Sequence, residues 1–501
     1  MSDNGSYFGD DGEDWDDPAE RVKMRRRPPV ASIAISALLA AVVITSVIVV
    51  GSTKLLPGGW YLTFIAADAV FAGVAVVVLL LSSPGRNKLR FWLVTALSVV
   101  LAVANLGVAK VGYDYLSTVN HIQPPKSDTI LYDIVVLTDG PTDISQLSQS
   151  IMGEVENDAL SAVVHGQVLK RVQVSFQPTP TWTGMVDSLM NKDISSMVIQ
   201  DGFMQVLSDA NPDQYDSMRI LASFEVDTSL AARPTPTPSP TPTAAPQNSY
   251  VLYISGIDTY GSIAARSRSD VNILMVVNPD TGKVLLVNTP RDFYVQLRGM
   301  AGLPDKLTHS GVYGVDVSVG TMEDLYGITI SYYLRINFSS LVTIIDTLGG
   351  VDVDSAYDFS YGGYSFTVGM NHLNGAAALA FSRDRHDFAG GDRVRGQNQE
   401  RVIEALIKKV SQPSVLMNYT QILNSIQASI QTSMSQDVIS AQVRQQLDKG
   451  TQWDVTSISV DGTGALDYTY SYPGQRLYVM VPDQSTVDLA KSMIQSILNG
   501  S

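Results

Sequence analysis

The sequence predicts an α/β protein in three parts: three N-terminal transmembrane helices, a small α/β accessory domain, and an α/β sandwich around a central mixed sheet. Three observations carry this expectation. Apolar residues crowd before Val111 in runs long enough to cross a bilayer. A Pro/Thr stretch, RPTPTPSPTPTAAPQ from Arg233 to Gln247, interrupts the remainder. On both sides of it, short β-rich runs alternate with helix-compatible segments.

The membrane part comes first. Ala31–Val50 and Phe91–Ala109 carry no charge and Trp60–Leu81 carries only Asp68, so each can span roughly 30 Å of hydrocarbon as a helix. Arg21, Lys23 and Arg25 to Arg27 precede the first span, and Arg86, Lys88 and Arg90 fill the second loop, whereas the first loop holds only Lys54. This bias places the N-terminus inside. Residues 1–30 are then a disordered cytosolic leader, residues 31–110 the three spans, and everything after Lys110 lies outside the cell membrane. The acidic start does not resemble a cleaved signal, so the helices are expected to be retained anchors. Asp68 has no second charge beside it and is expected to be hydrogen-bonded between helices or to lie near a polar pocket, the alternative being a proton or ion relay.

A chain of 501 residues exceeds one ordinary domain. The absence of Cys excludes disulfides and thiolate metal sites. With 34 Lys plus Arg against 49 Asp plus Glu, the formal charge is −15, which argues against a broad polyanion-binding surface; an anion site has to be a local pocket.

Beyond the membrane, residues 127–228 read as the accessory domain. Strand-like runs occur at Ile130–Leu137, Val172–Phe176 and Met197–Ile199, and helix-compatible ones at Asp143–Met152 and Thr183–Lys192. It shows no nucleophile–base pair or ligand cluster, and His165 between Val and Gly is expected to be structural. Residues 232–248 form a semi-rigid polyproline-like linker. The segment 249–501 then offers strands at Tyr250–Ile254, Val271–Val277, Lys283–Asn288 and Leu477–Val481. Helices are expected at Ser339–Leu348, Glu400–Val410, Tyr419–Thr432 and Gln484–Leu498.

Chemistry concentrates in this last segment. Asp258 follows its first strand, and Arg268, Ser269 and Asp270 lead into the next. If those strands are neighbours, the two carboxylates meet at one sheet edge, where a divalent cation would relieve their repulsion; equally, Asp258 could be a turn residue and Asp270 a strand cap. Arg291 and Asp292 follow the third strand, and Lys306 and His309 a later loop. Arg383, Arg385, Arg393, Arg395 and Arg401 then come close together, interleaved with Asp384, Asp387 and Asp392. In an extended segment, Arg383 and Arg385 share a face, as do Arg393 and Arg395. Converging guanidiniums suit a pyrophosphate. The alternative is a solvated surface on which these arginines pair with the aspartates. The apolar residues could equally line a lipid cavity or fill a core.

The blocks GID (Gly256–Asp258), RSD (Arg268–Asp270), TPRD (Thr289–Asp292), KLTHSGVYG from Lys306, YYLRINF (Tyr332–Phe338), DTLGGVDV (Asp346–Val353), LNGAAALAFSRDRH (Leu373–His386) and GGDRVRGQNQE (Gly390–Glu400) follow one another in order. Together they resemble the LytR-CpsA-Psr proteins of bacterial cell envelopes. The resemblance implies a Mg²⁺-dependent phosphotransferase. Its donor is a glycopolymer linked to polyprenyl pyrophosphate, such as a teichoic acid or capsular polysaccharide, and its acceptor is a peptidoglycan hydroxyl. By motif, Asp258 and Asp270 would hold Mg²⁺. Arg268, Arg291, Lys306, Arg383, Arg385, Arg395 (for which Arg393 could substitute) and Gln399 would bind substrate; Asp270, Arg291 and Asp392 would be catalytic, and Asp270, Asp392 and Asp292 are unranked candidates for the general base. The chain departs from the family pattern where Asn398 precedes and Glu400 follows Gln399 in place of paired Gln, and at Thr308 in place of Asn. Hydrolysis of the lipid pyrophosphate and non-catalytic binding of envelope polymer are the competing functions. DNA binding is not expected, because the short basic run is a topology signal and no groove-reading element is visible.

Overall fold

The computed structural model describes residues 30–53, 58–81, 88–122, 129–156, 158–228, 249–257, 263, 265–384, 392–412, 415, 426 and 430–500. The expected leader and the Pro/Thr linker lie outside the described residues.

Among those residues, three helices are long and apolar enough to cross a membrane. They are α1 (Val30–Thr53), α2 (Gly58–Leu81) and α3 (Lys88–Ile122). Leu39 and Val43 of α1 pack with Ala72 and Ala75 of α2, and most other apolar side chains face outward, as in a bundle meant for lipid. Asn105 Nδ2 of α3 donates to Asp68 Oδ1 of α2 at 3.1 Å, which gives Asp68 an interhelical partner.

The accessory domain consists of β1 (Thr129–Leu137), β2 (Ile151–Val155), α4 (Ser161–Leu169), β3 (Ser175–Thr179), α5 (Trp182–Met190), β4 (Ser196–Gln200), α6 (Asp201–Ala210), α7 (Pro212–Asp216) and β5 (Met218–Asp227). Its mixed sheet has the order β3-β2-β4-β1-β5. Alternation along β1 sends Ile134 and Val136 to the α4 side, with Val164 and Val168, and Val135 to the α5/α6 side. Two expectations are corrected. Asp143–Met152 is not a helix: Asp143 caps one 3₁₀ turn (Ile144–Leu147), after which Gln149 takes a left-handed φ of 63° and redirects the chain into β2. The strand expected from Val172 starts at Ser175, because the Val172 N–H still closes the end of α4 on Val168 O. His165 is structural as expected, stacked on Phe176 and 2.6 Å from Glu154 Oε2.

The second sheet domain comprises β6 (Tyr250–Ile257), β7 (Ser269–Asn278), β8 (Lys283–Asn288), β9 (Tyr294–Val295), β10 (Asp305–Lys306), α8 (Ser310–Tyr313), α9 (Val315–Tyr326), β11 (Tyr332–Asn337) and α10 (Phe338–Thr347). There follow β12 (Val351–Ser355), β13 (Phe359–Tyr361), β14 (Tyr364–Phe366), β15 (Gly369–Leu373), α11 (Gly375–Arg383), α12 (Asp392–Val410) and β16 (Ile430–Thr432). The last elements are α13 (Gln436–Lys449), β17 (Asp454–Ser459), β18 (Gly462–Tyr468), β19 (Arg476–Pro482) and α14 (Gln484–Leu498). The six-stranded order is β16-β11-β6-β7-β8-β17, with both parallel and antiparallel pairs. Tyr253, Leu274 and Val287 pack under α9 and α14, while Ile254, Ile273 and Leu286 pack under α12 and α13. Helices therefore cover both faces, which is why these strands read as unbroken apolar runs. The helix expected at Tyr419–Thr432 is corrected where it is described: Ile430–Thr432 is an edge strand paired with β11, as its β-branched residues favour.

The two sheet domains share an apolar contact despite the linker between them in sequence. Val312, Tyr472 and Leu477 pack with Trp182, Met185 and Leu207. Gly202 makes this possible, because a Cβ there would stand 2.7 Å from Val312 Cγ1.

Candidate active site at the strand ends

Antiparallel pairing sets Gly256 opposite Val271 and Ile257 opposite Ser269, so the end of β6 and the start of β7 share one sheet edge, as the sequence predicts. At the end of β8 the Thr289 N–H donates to Asn272 O at 2.9 Å, and the chain turns so that Arg291 O accepts from Thr308 N at 2.8 Å. This links the TPRD and KLTH blocks. Asp305 and His309, both fully buried and 2.7 Å apart, anchor the second block, with Asp305 Oδ2 accepting from Ser471 N at 2.9 Å.

Asp270 is the centre. Its Oδ1 accepts from Arg291 Nη1 at 2.9 Å and from Thr308 Oγ1 at 2.8 Å, and its Oδ2 lies 4.0 Å from Arg268 Nη2. Burial alone would raise its pKa, yet the guanidiniums of Arg291 and Arg268, the Thr308 hydroxyl and the charge of Arg395 hold it at about 2. The acid is therefore ionised across the physiological range. Burial lowers the tendency of Arg291 to stay charged, but Asp270, Asp292 and Asp209 more than reverse this, so its pKa is raised. Lys306 Nζ lies 3.1 Å from Asp292 Oδ1, within the same buried network. Thr308 thus supplies the polar contact of the KLTH block to Asp270.

The accessory domain reaches into this cluster. Asp209 near the end of α6 forms an ion pair with Arg268 Nη1, and its Oδ2 stands 3.9 Å from Arg291 Nη2. One turn earlier, Gln205 Oε1 accepts from the Arg268 N–H at 3.1 Å and its backbone oxygen accepts from Arg268 Nη1 at 3.2 Å. Nothing in the sequence around Asp209 signals this role, which arises only from the docking of α6 against the RSD segment.

Arg383 and Gln399 form a second flank. Arg383, the last residue of α11, places its guanidinium 4.6 Å over the Phe338 ring. Gln399 Nε2 donates to Ser382 O at 3.4 Å. Phe338, Ser382 and Gln399 line a small apolar cavity of about 50 Å³ whose other walls include Gly256, Val271 and Val402. The residues next to Asp270 and to Arg383 therefore border one hollow. Asp258 and Arg385 lie outside the described residues, as does the side chain of Asp392, which opens α12. One expectation is corrected here: Arg393 and Arg395 lie on helix α12 and not in an extended segment, so the strand geometry that gives residues two apart a common face does not apply.

Among the described residues no three carboxylates or imidazoles converge as a metal cage. Mg²⁺ does not require one, since it keeps several waters and takes one or two carboxylates together with phosphate oxygens. A carboxylate that stays ionised while buried, as Asp270 does, fits that use. With guanidiniums, a buried lysine and an adjoining apolar cavity, the arrangement can hold an anionic group attached to a hydrophobic tail.

Among known proteins, the chain is 36% identical over 187 residues to a polyisoprenyl-teichoic acid–peptidoglycan teichoic acid transferase TagU of Bacillus cereus. That alignment covers 37% of this chain and 60% of the relative. The TagU of Bacillus anthracis is 33% identical over 229 residues, covering 46% and 73%. Of solved structures, the crystal structure of B. subtilis TagV aligns with TM-score 0.44 at 26% identity, over 51% of this chain and 99% of that one. TagT bound to LI-WTA aligns with TM-score 0.40 at 25% identity, over 50% and 92%. Residues 221–486 match the profile of the LytR_cpsA_psr family, and this chain belongs to that family.

Proposed function

We propose that this protein transfers an anionic glycopolymer from a polyprenyl-pyrophosphate carrier to a hydroxyl of peptidoglycan, forming a phosphodiester. The observation that carries the proposal is the ionised Asp270 clasped by Arg268 and Arg291 beside an apolar cavity. The TagU relatives named for teichoic acid transfer to peptidoglycan give the substrate class.

In this reaction the acceptor oxygen attacks the phosphorus that bears the polymer, the bond to the bridging oxygen breaks, and polyprenyl monophosphate leaves. Arg268, Arg291 and Arg395 take the phosphate oxygens from one side and Arg383, with Gln399, from the other. Fixed positive charge placed before the reaction stabilises the charge that builds up between the phosphates. Asp270, at a pKa of about 2, is a poor proton acceptor and serves to orient the guanidiniums. Asp392 remains the candidate base. A Mg²⁺ held by Asp270 and Asp258 would neutralise pyrophosphate charge. The cavity takes the first isoprene unit of the carrier, and the charge bias of the loops puts the site on the outer side of the membrane, where the acceptor is.

Product analysis tests the proposal. Intact protein in detergent, given lipid-pyrophosphate-linked polymer and peptidoglycan, should yield polymer bound to peptidoglycan through phosphodiester. Release of free polymer phosphate alone would identify a hydrolase, and no turnover with retained polymer binding would identify a non-catalytic binder.

A further inference from the structure

A cleft with a distinctive lining, which includes none of the arginines described above, lies between the two sheet domains. It has a volume of about 480 Å³. One wall is a continuous run of aromatic rings. Trp182 stacks on Phe203 at 5.4 Å, Phe203 meets Tyr313 edge-on at 6.1 Å, and Tyr313 meets Tyr470 at 6.0 Å. Trp182 and Tyr313 are fixed by Ser471, whose backbone oxygen accepts from Trp182 Nε1 at 3.1 Å and whose Oγ lies 3.0 Å from the Tyr313 hydroxyl. The lining also includes Glu154, which is 2.6 Å from His165 Nε2, Glu156, and Asp158, which accepts from the Tyr132 hydroxyl at 2.7 Å. Among the described lining residues there is no Lys or Arg.

This lining selects a ligand class. Aromatic faces carry negative charge density and attract the C–H faces of pyranose rings, and carboxylates accept hydrogen bonds from sugar hydroxyls and amides. A polyanion is disfavoured, because the described lining offers three acids and no Lys or Arg to phosphate or uronate groups. The cleft is also tied to the arginine cluster. Phe203 lies on α6, which carries Gln205 and Asp209 to Arg268, and Tyr313 ends α8, directly after the Lys306–Thr308 block that contacts Asp270 and Asp292.

We infer that this cleft binds an uncharged stretch of N-acetylated hexosamine glycan, the acceptor strand rather than the anionic polymer. The inference rests on the transferase reading for the identity of the acceptor, but its test does not. The accessory domain then contributes one wall of the acceptor site and, through α6, sets the position of the arginines.

The experiment is calorimetric titration of the intact protein in detergent with chitotetraose, in the absence of any lipid donor. Saturable binding is expected, weakened about tenfold or more by Tyr470→Ala and retained by Tyr470→Phe. Tyr470 is partly exposed, so its ring can be removed without opening the core. Phe203→Leu provides a second disruption of the wall, with the same expected loss. No saturable binding by the wild-type protein, unchanged binding by Tyr470→Ala and Phe203→Leu, or displacement of chitotetraose by a more tightly held polyglycerol phosphate would each overturn the inference. Binding without transfer would leave the cleft assigned and remove the transferase reading; transfer without binding would do the reverse.

Discussion

Each of the two sheets holds a buried aspartate, and the two behave in opposite ways. Asp270 at the start of β7 is held at about 2 by Arg291 and Arg268 although burial pushes it up. Asp133 in β1 is also enclosed, but its close neighbour is another carboxylate, Asp201 at the start of α6, and burial together with that neighbour raises its pKa; only the Ser223 hydroxyl, donating at 2.6 Å, opposes this. Burial acts on both acids with the same sign, and the charge of the company decides the outcome. At one site guanidiniums keep the carboxylate ionised, while in the other domain burial raises the pKa values of both neighbouring acids, Asp133 and Asp201.

The largest effect should come from breaking the first of these environments. Arg291→Ala leaves Asp270 with less compensation and should destabilise the protein by about 3–5 kcal/mol, as the loss of one partner from a buried pair does. It should also lower turnover by about 100-fold or more and move the acid limb of the pH–rate profile upward, because the Asp270 pKa rises when a guanidinium is removed. Arg291→Lys should restore little, since a point charge does not reproduce the paired donors of the fork. A smaller change is expected from Asp209→Asn. Asp209 neutralises Arg268 in the absence of substrate, so its removal should tighten inorganic pyrophosphate binding by about 3- to 10-fold, measured by calorimetry.

Glu400 sharpens the comparison from within the arginine-bearing domain. It is buried on α12, accepts from Ser459 Oγ at 3.3 Å, and burial pushes its pKa up to about 8. Between its ordinary value of 4.5 and about 8 the folded state binds more protons than the unfolded state, so stability should fall as pH rises through that window. Glu400→Gln should flatten this slope in chemical unfolding curves. Asp133→Asn should do the same on a smaller scale between 3.8 and about 7.

The sequence made the first environment legible and the second not. Asp270, Arg268 and Arg291 could be placed together because two apolar strands joined by a short connection bring their ends to one edge, and β6 and β7 do pair that way. The continuous apolar runs of β6 to β8 announced a sheet covered on both faces. Arg393 and Arg395 were misjudged as an extended pair because the helix begins earlier than the amphipathic pattern from Glu400 suggests. Asp209 and the Asp133–Asp201 pair stayed hidden for a different reason. Each acquires its meaning from a partner distant in the chain, brought close by domain docking or strand register, and no local spacing encodes that contact. The aromatic wall shared by Trp182, Phe203, Tyr313 and Tyr470 is invisible on the same grounds.

The most direct test is the transfer assay on intact protein with Asp270→Asn, a substitution that keeps the shape of the side chain and removes its charge. The account predicts that the variant folds, retains polymer and glycan binding to within about threefold, and loses phosphodiester product by about 100-fold or more. Product formation at the wild-type rate by Asp270→Asn would contradict it, because the chemistry would then lie away from the arginine cluster.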